Sequence, residues 1–244
     1  QEDCNGYLWV YFSSAKYSCY DPKKEVFIDA EKILSEKYGI NEAPTLVYID
    51  SNKDLWMETS KREMLHYSAN DKTITLIPQN NHTGITLKCM YETPNGIVRV
   101  FSNGYFDHIN RSSNKIDQQN DYIVNLPVYT GDNYKIHCDH DGDYWIYNDQ
   151  STWLYNTSNG KWTHLTSESS NKLTGKCVRN IVTDRNGRIW MTIDNGGINI
   201  IDKSDMSVEH IQNDLSDERS LSQNGVTCLY ADTDGGVWVG TFKR

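Results

Sequence analysis

Asp184 to Gly197 reads DRNGRIWMTIDNGG, and the spacing inside its first seven residues decides the fold. An Asp is followed two residues later by Asn-Gly, and six residues later by Trp. The frame returns as Asp232–Trp238 (DTDGGVW), Asp139–Trp145 (DHDGDYW), Asp3–Trp9 (DCNGYLW) and Asp50–Trp56 (DSNKDLW), where Lys53 stands in place of the Gly. A degenerate copy, TPNGIVR, has Thr93 for the Asp and Arg99 for the Trp. The last position therefore falls at 9, 56, 99, 145, 190 and 238, in steps of 47, 43, 46, 45 and 48 residues. Self-similarity at this period marks a propeller or a solenoid.

Asn-Gly and Asp-Gly are strong hairpin signals, because such turns need a positive φ that Gly reaches without strain. Runs rich in β-branched and aromatic residues flank the turns. TLVYI, ITLKCMY, YKIHC and VTCLYA precede them, and YLWVYF, DYWIY, RIWMTI and GVWVG follow. In the best copy Asp194 to Gly197 turn the chain into INIID, and Lys203 to Met206 turn it into SVEHI. Four short strands in about 46 residues make one propeller blade. The expectation is an all-β propeller of four-stranded blades with about five repeats present and an incomplete ring. Its structural residues are the slot tryptophans Trp9, Trp56, Trp145, Trp190 and Trp238, expected largely buried, with Arg99 in the same slot. The turn glycines Gly6, Gly96, Gly142, Gly187 and Gly235 complete the motif.

A chain of 244 residues, 37% hydrophobic and 23% charged, suffices for one large all-β unit. No apolar run is long enough to span a membrane, and no signal-peptide pattern opens the chain. It starts and stops inside a motif, so residues 1–244 read as a propeller segment of a larger region. A net charge of −9 argues against nucleic acid or anionic lipid as main partner. The six cysteines contain no C-x-x-C pair, so no zinc or redox motif is expected. Cys89 and Cys228 occupy equivalent places three repeats apart and cannot pair. Cys4 and Cys19 flank one hairpin, and either a disulfide or two free thiols fits them.

Residues 29 to 43 have Ala30, Ile33, Leu34 and Tyr38 at helical spacing, with Asp29 as cap and Gly39 as stop. This reads as a decorated connection between blades. Residues 64 to 77 and 153 to 165 read as hairpins, and 105 to 134 as the least regular stretch. Trp153 and Trp162 fit outer-strand packing or a sugar platform. Asp139 to Asp143 is acidic enough for a cation, but its register with the other turns favours a hairpin. Neither a nucleophile–base signature nor a metal-ligand spacing occurs, so catalytic residues, metals and cofactors are not expected. Sequons stand at Asn81, Asn110 and Asn156 and carry meaning only outside bacteria.

Two stretches resemble a known family. SLSQNGVTCLYADTDGGVWVGT (Ser220–Thr241) and VRNIVTDRNGRIWMTIDNGGINIID (Val178–Asp202) are similar to the two-component regulator propeller repeat. The likeness extends over the whole chain at the repeat period, strongest in the last two repeats and weakest in the third. It implies the periplasmic sensor region of a hybrid two-component histidine kinase of Bacteroides type. Further family parts would be an immunoglobulin-like domain, one membrane helix, a kinase and a response regulator, none of them in these residues. The implied ligand is an oligosaccharide from polysaccharide breakdown, the implied assembly a homodimer of the intact sensor, and membrane contact comes only through the missing C-terminal part. This segment is then not itself an enzyme. A propeller polysaccharide lyase or glycosidase and a secreted interaction scaffold stay open as alternatives.

The family pattern after the slot Trp is Gly-Thr, as in Val239-Gly240-Thr241. Four repeats depart from it, at Met57 to Glu63, Val100 to Gly104, Ile146 to Ser151 and Met191 to Gly197. These departures place Lys61, Arg62, Tyr147, Asn148, Asp149, Asp194 and Asn195 on the expected ligand face. Arg grips a carboxylate or sulfate, and Tyr stacks on a sugar ring.

Overall fold

The computed structural model describes residues 1–12, 16–78, 86–101, 105–120, 134–168 and 172–242. The Asn81 sequon and residues 121–133 of the irregular stretch lie outside them. The chain divides into two compact units, Gln1–Asp132 and Asn133–Arg244.

The first unit holds three antiparallel sheets. Strands β1 (Leu8–Phe12), β2 (Lys16–Asp21) and β3 (Val26–Asp29) make the first. Strands β4 (Pro44–Ile49), β5 (Leu55–Thr59), β6 (Met64–Tyr67) and β7 (Ile74–Ile77) make the second, and β8 (Leu87–Thr93), β9 (Gly96–Phe101), β10 (Phe106–Asn110) and β11 (Lys115–Asn120) the third. Between the first two runs the expected helix, α1 (Ala30–Ile33), continued by a π-helical turn over Leu34–Tyr38. Asp29 caps it by accepting from the Glu31 amide, and Gly39 ends it at φ 68°.

The second unit repeats the plan. Strands β12 (Lys135–Cys138), β13 (Tyr144–Tyr147), β14 (Thr152–Asn156) and β15 (Lys161–Leu165) form its first sheet. Strands β16 (Val178–Thr183), β17 (Ile189–Ile193), β18 (Gly197–Asp202) and β19 (Ser207–Ile211) form its second, and β20 (Val226–Ala231) with β21 (Val237–Thr241) its third. Each full sheet is a simple meander, so the all-β blade architecture stands. The four-stranded blade stands too, with the first and last repeats shorter as their sequence implies. Among the described residues four sheets have four strands, the first has three and the last two. In the first sheet Gln1 and Glu2 stand in for the missing inner strand. The Trp9 amide donates to Gln1 O at 2.7 Å, and Glu2 bridges Leu8.

The recurring frame is a self-satisfying hairpin. In the second sheet Asp50 Oδ1 accepts the amides of Asn52 and Asp54, while Oδ2 accepts the Trp56 indole Nε1–H at 3.0 Å. The same three bonds hold Asp3 to Trp9, Asp139 to Trp145, Asp184 to Trp190 and Asp232 to Trp238, with indole distances of 2.7 to 2.9 Å. The motif Asp is therefore more than a turn former. Its two oxygens tie the turn backbone to the slot side chain, which explains the six-residue spacing. The third loop residue is left-handed in every such turn, at φ 81° to 94° for Gly6, Gly142, Gly187 and Gly235, and at 65° for Lys53.

The third sheet solves the slot differently. Arg99, 2% exposed, donates from Nε and Nη2 to both Asp107 oxygens at 2.8 and 2.7 Å, across the β9–β10 register. Thr93 pairs directly with Gly96, so only Pro94 and Asn95 turn the chain. Gly96 is accordingly not a positive-φ residue. It is glycine because a Cβ there would lie 1.9 Å from the Ile109 carbonyl oxygen.

Four of the slot tryptophans pack onto the next sheet of their own unit. Trp9 clusters with Ile49, Leu55 and Met57, and Trp56 with Leu87, Met90 and Ile97. Trp145 meets Ile181, Ile189 and Met191, and half-buried Trp190 meets Val226 and Leu229. One expectation fails at the last sheet, where Trp238 is 69% exposed. Cys4 and Cys19 are free thiols, so no disulfide closes the hairpin they flank.

Candidate functional site

Of the seven residues expected on the ligand face, two lie on the first unit and five on the second. Lys61 and Arg62 tip the β5–β6 hairpin of the first unit. Lys61 Nζ donates to Glu42 Oε1 at 2.6 Å, which raises its pKa. Arg62, left-handed at φ 66°, stands 4.0 Å from the buried Glu58 carboxylate, whose other oxygen accepts from Thr45 Oγ1. The other five lie on the second unit, two of them turned inward. Tyr147 ends a strand buried on both faces and is 2% exposed, so its ring is no stacking platform. Asn148 caps its own hairpin, its Oδ1 accepting the amides of Gln150 and Ser151. Asn195 is the left-handed tip of the β17–β18 hairpin.

Asp194 is held by a residue that the sequence reading missed, and Asp149 lies within the field of the same residue. Arg179, at the start of β16, donates from Nη2 to Asp194 Oδ2 at 3.2 Å and is half exposed. That bond, with Cys177 and then Asp149 adding their field, pushes the guanidinium pKa up. Lys135 opens β12 in the neighbouring sheet. Its Nζ donates to the Arg179 carbonyl at 2.9 Å and lies 5.9 Å above the Tyr147 ring, covering it. Cys177 carries the Asp194 amide on its carbonyl. Burial raises its thiol pKa and the nearby Asp194 and Asp149 add to this, while Arg179 and Lys135 oppose it. The result is a mixed-charge platform across two sheets, with guanidinium, ammonium and two carboxylates at its surface. Lys135 and Arg179 stand ten and eleven residues before their slot tryptophans, one bulge accounting for the difference. A basic residue recurring at that offset was the available signal.

Beside this platform a cleft of about 150 Å³ is lined by Gln150, His164, Thr166, Glu168 and Lys176. His164 stacks on Trp153 at 3.9 Å with its pKa lowered by burial. Trp153 is itself buried, and Trp162 leans on Tyr155. Trp153 is thus a packing residue, while Trp162 is half-buried beside Tyr155.

The acidic loop Asp139 to Asp143 lies at the turn end of the same sheets. The carboxylates of Asp139, Asp141 and Asp143 gather within 4.8 Å of one another. Lys203, from the β18–β19 hairpin of the next sheet, places Nζ at 2.7, 2.8 and 2.9 Å from the three. The charge a cation would supply there comes from the chain itself. Arg111 repeats the device in the first unit, reaching from the β10–β11 hairpin to Asp50 Oδ2 at 3.1 Å and Glu92 Oε1 at 2.6 Å.

Residues 220–243 match the family model described as two component regulator propeller. No curated protein matches the chain. Among solved structures it is similar in fold to the extracellular domain of BT3049 from B. thetaiotaomicron, described as a hybrid two component system. Identity is 16% and the TM-score 0.59, over 99% of this chain and 38% of that one. The extracellular domain of BT4673 from the same organism, described as a one component system, matches at 19% identity and TM-score 0.50, over 98% of this chain and 36% of that one. A streptogramin B lyase matches at 16% identity and TM-score 0.60, over 98% of this chain and 74% of that one. The chain thus spans under two fifths of the length of the two extracellular domains. Among the described residues no helix is long and apolar enough to cross a membrane.

Proposed function

We propose that this chain is a ligand-sensing propeller segment from the extracytoplasmic, periplasmic part of a hybrid two-component histidine kinase. Its ligand, on this reading, is an oligosaccharide bound on the face that carries Lys135, Asp149, Arg179 and Asp194. The family match at residues 220–243 and the two extracellular domains of like fold support the sensor reading. The observation that carries the site is the exposed Arg179–Asp194 pair, with Asp149 in its field and Lys135 beside it on the adjacent sheet. Fixed donors and acceptors side by side suit a hydroxyl-rich ligand better than an apolar one. A ligand gripping both sheets binds most tightly in one arrangement of them, and differential affinity of that kind shifts a two-state sensor.

Calorimetry with neutral and uronate-containing oligosaccharides tests the site. Arg179→Ala and Asp149→Ala should each weaken binding by about 1–3 kcal/mol, the usual cost of stranding a polar partner. Lys61→Ala, on the first unit, should leave it unchanged. The reverse result would move the site to the β5–β6 hairpin. A lyase is the second reading, favoured by the fold match to streptogramin B lyase. It requires product formation, which chromatography of the same mixtures would register.

A further inference from the structure

We propose that the cleft lined by Gln150, His164, Leu165, Glu168 and Lys176 is a subsite for one uncharged, hydroxyl-rich ring, held by the buried hydroxyls of Ser151 and Thr152. The ligand class rests on the sensing reading. The site itself rests on the cleft and the two hydroxyls.

A short polar hairpin, Asn148 to Ser151, joins two strands rich in apolar residues. It satisfies its backbone through Asn148. The Asn148 amide donates to the Ser151 carbonyl at 3.0 Å, and Asn148 Oδ1 accepts the amides of Gln150 and Ser151. The hydroxyls that follow are left over. Ser151 and Thr152 are 5% and 1% exposed, yet neither Ser151 Oγ nor Thr152 Oγ1 meets a hydrogen-bond partner among the described residues. A hydroxyl taken out of water without a partner is a net cost to the fold. Alanine and valine would fill the same space without that cost, so the two hydroxyls call for a partner outside the chain.

Strand register directs them to the cleft. Thr152 pairs with Leu165 across β14 and β15, so the two side chains stand side by side on one face of the sheet. Leu165 lines the cleft, and Ser151 follows Gln150, which lines it too. The volume of about 150 Å³ equals about five waters, the scale of one small ring rather than a chain of them.

The lining suits a neutral polyol. A sugar hydroxyl both donates and accepts, and so do the Ser151 and Thr152 hydroxyls and the Gln150 amide. Glu168 and Lys176 add one carboxylate and one ammonium, which cancel. Burial lowers the His164 pKa, so its ring adds no charge at neutral pH. Leu165 offers an apolar contact for ring C–H groups. Gln150 follows Asp149 and Lys176 precedes Cys177, so the cleft begins where the platform of Arg179 and Asp194 ends. A ring in the cleft is then one unit of a ligand whose neighbouring units lie on the platform.

Calorimetry and saturation-transfer NMR on the 244-residue chain, with xylose, galactose, glucose and glucuronate at millimolar concentration, test this. At least one neutral sugar should bind, and more tightly than glucuronate. Thr152→Val should weaken that binding about tenfold. Without sugar the same variant should raise the urea midpoint, because a methyl group replaces an unpaired hydroxyl. Ser151→Ala should act alike in both measurements. A lower midpoint with unchanged binding would mean that the hydroxyls serve the fold, and it overturns the proposal. A panel in which no neutral sugar binds overturns it as well. Arg179→Ala separates cleft from platform and should weaken an oligosaccharide more than a single sugar. Single-sugar binding lost with Arg179→Ala but kept with Thr152→Val puts the ring on the platform, which sinks the subsite and leaves the sensing reading standing. Single-sugar binding that falls with Thr152→Val, beside oligosaccharide binding indifferent to Arg179→Ala, supports the subsite and sinks the platform.

Discussion

The second and third sheets of the first unit fill one slot with opposite chemistries. In the sheet of β4–β7 the slot holds Trp56, and its single N–H goes to the turn residue Asp50. In the sheet of β8–β11 it holds Arg99, and the carboxylate has moved to Asp107 on the adjoining strand. The slot thus selects a long, flat side chain whose buried N–H groups meet a carboxylate, and it does not specify where that carboxylate comes from. Once Asp107 takes over, the turn loses its acceptor duty and shortens to two residues with Thr93 in place of Asp.

The largest expected effect comes from removing the substitute carboxylate. Asp107→Ala strands the Arg99 guanidinium in the core and should cost about 3–5 kcal/mol in denaturant unfolding. The double change Arg99→Met with Asp107→Leu should recover most of that, because the charge and its partner leave together. If Asp107→Ala unfolds like the wild type, the Arg slot is wetter than its burial implies.

Glycine sharpens the comparison. Gly96→Ala drives a methyl group into the Ile109 carbonyl and should cost about 1–3 kcal/mol through backbone displacement. Gly187→Ala meets no atom within 4 Å and should cost nearer 1 kcal/mol, the left-handed penalty alone. Equal losses would mean that the two turns are not different in kind. The converse change, Lys53→Gly, relieves a left-handed lysine and should gain a few tenths to about 1 kcal/mol, offset in part by the lost 3.1 Å pair with Glu2.

Acid titration separates turns that look alike. Burial holds the Asp50 carboxyl above its ordinary value, and neighbouring Asp54 adds to this, against the Trp56 indole and Arg111. Asp184 has Arg188 in the place of Asp54. Burial alone would raise it, but the Trp190 indole and the Arg188 bonds outweigh this and hold it low. A depressed carboxyl gives stability that is complete above the unfolded value, near pH 4, and lost as pH falls through the lower folded one. A raised one works in reverse, stabilising at low pH and losing that contribution as pH climbs through its folded value. Asp184→Asn should therefore reduce the acid-side loss of stability seen in wild type, and Asp50→Asn should deepen it. The measurement is the urea midpoint as a function of pH, and matching curves for the two variants would defeat the distinction.

The blade plan was legible because it is written locally. The Asp-to-Trp frame, the hairpin Gly and the alternating flanks all lie within about a dozen residues. Side chains that cross between sheets were not legible. Lys203 meets Asp139 across 64 residues, and Arg111 reaches Asp50 from a hairpin of the next sheet. Only the stacking of sheets decides such pairs. Burial at the hairpin roots escaped for a related reason. YWIY is covered on both faces, so it shows no alternation to say that Tyr147 points inward. Lys135 and Arg179 escaped because each is a single basic residue at the start of a short strand, with its partners on other strands.

The frame also bears on how the chain reaches its fold. Each Asp turn closes its three bonds within seven consecutive residues, so a hairpin can form before any distant contact exists. Hairpins of this size assemble in about 1–10 μs. Sheets built from them then need only their neighbours, and order spreads from any one of several starting points along the chain. The β8–β9 turn lacks the Asp clasp, and its slot is completed only when β10 brings Asp107 into register. Structure should arrive there late, and hydrogen exchange during refolding should protect the amides of β9 after those of β5.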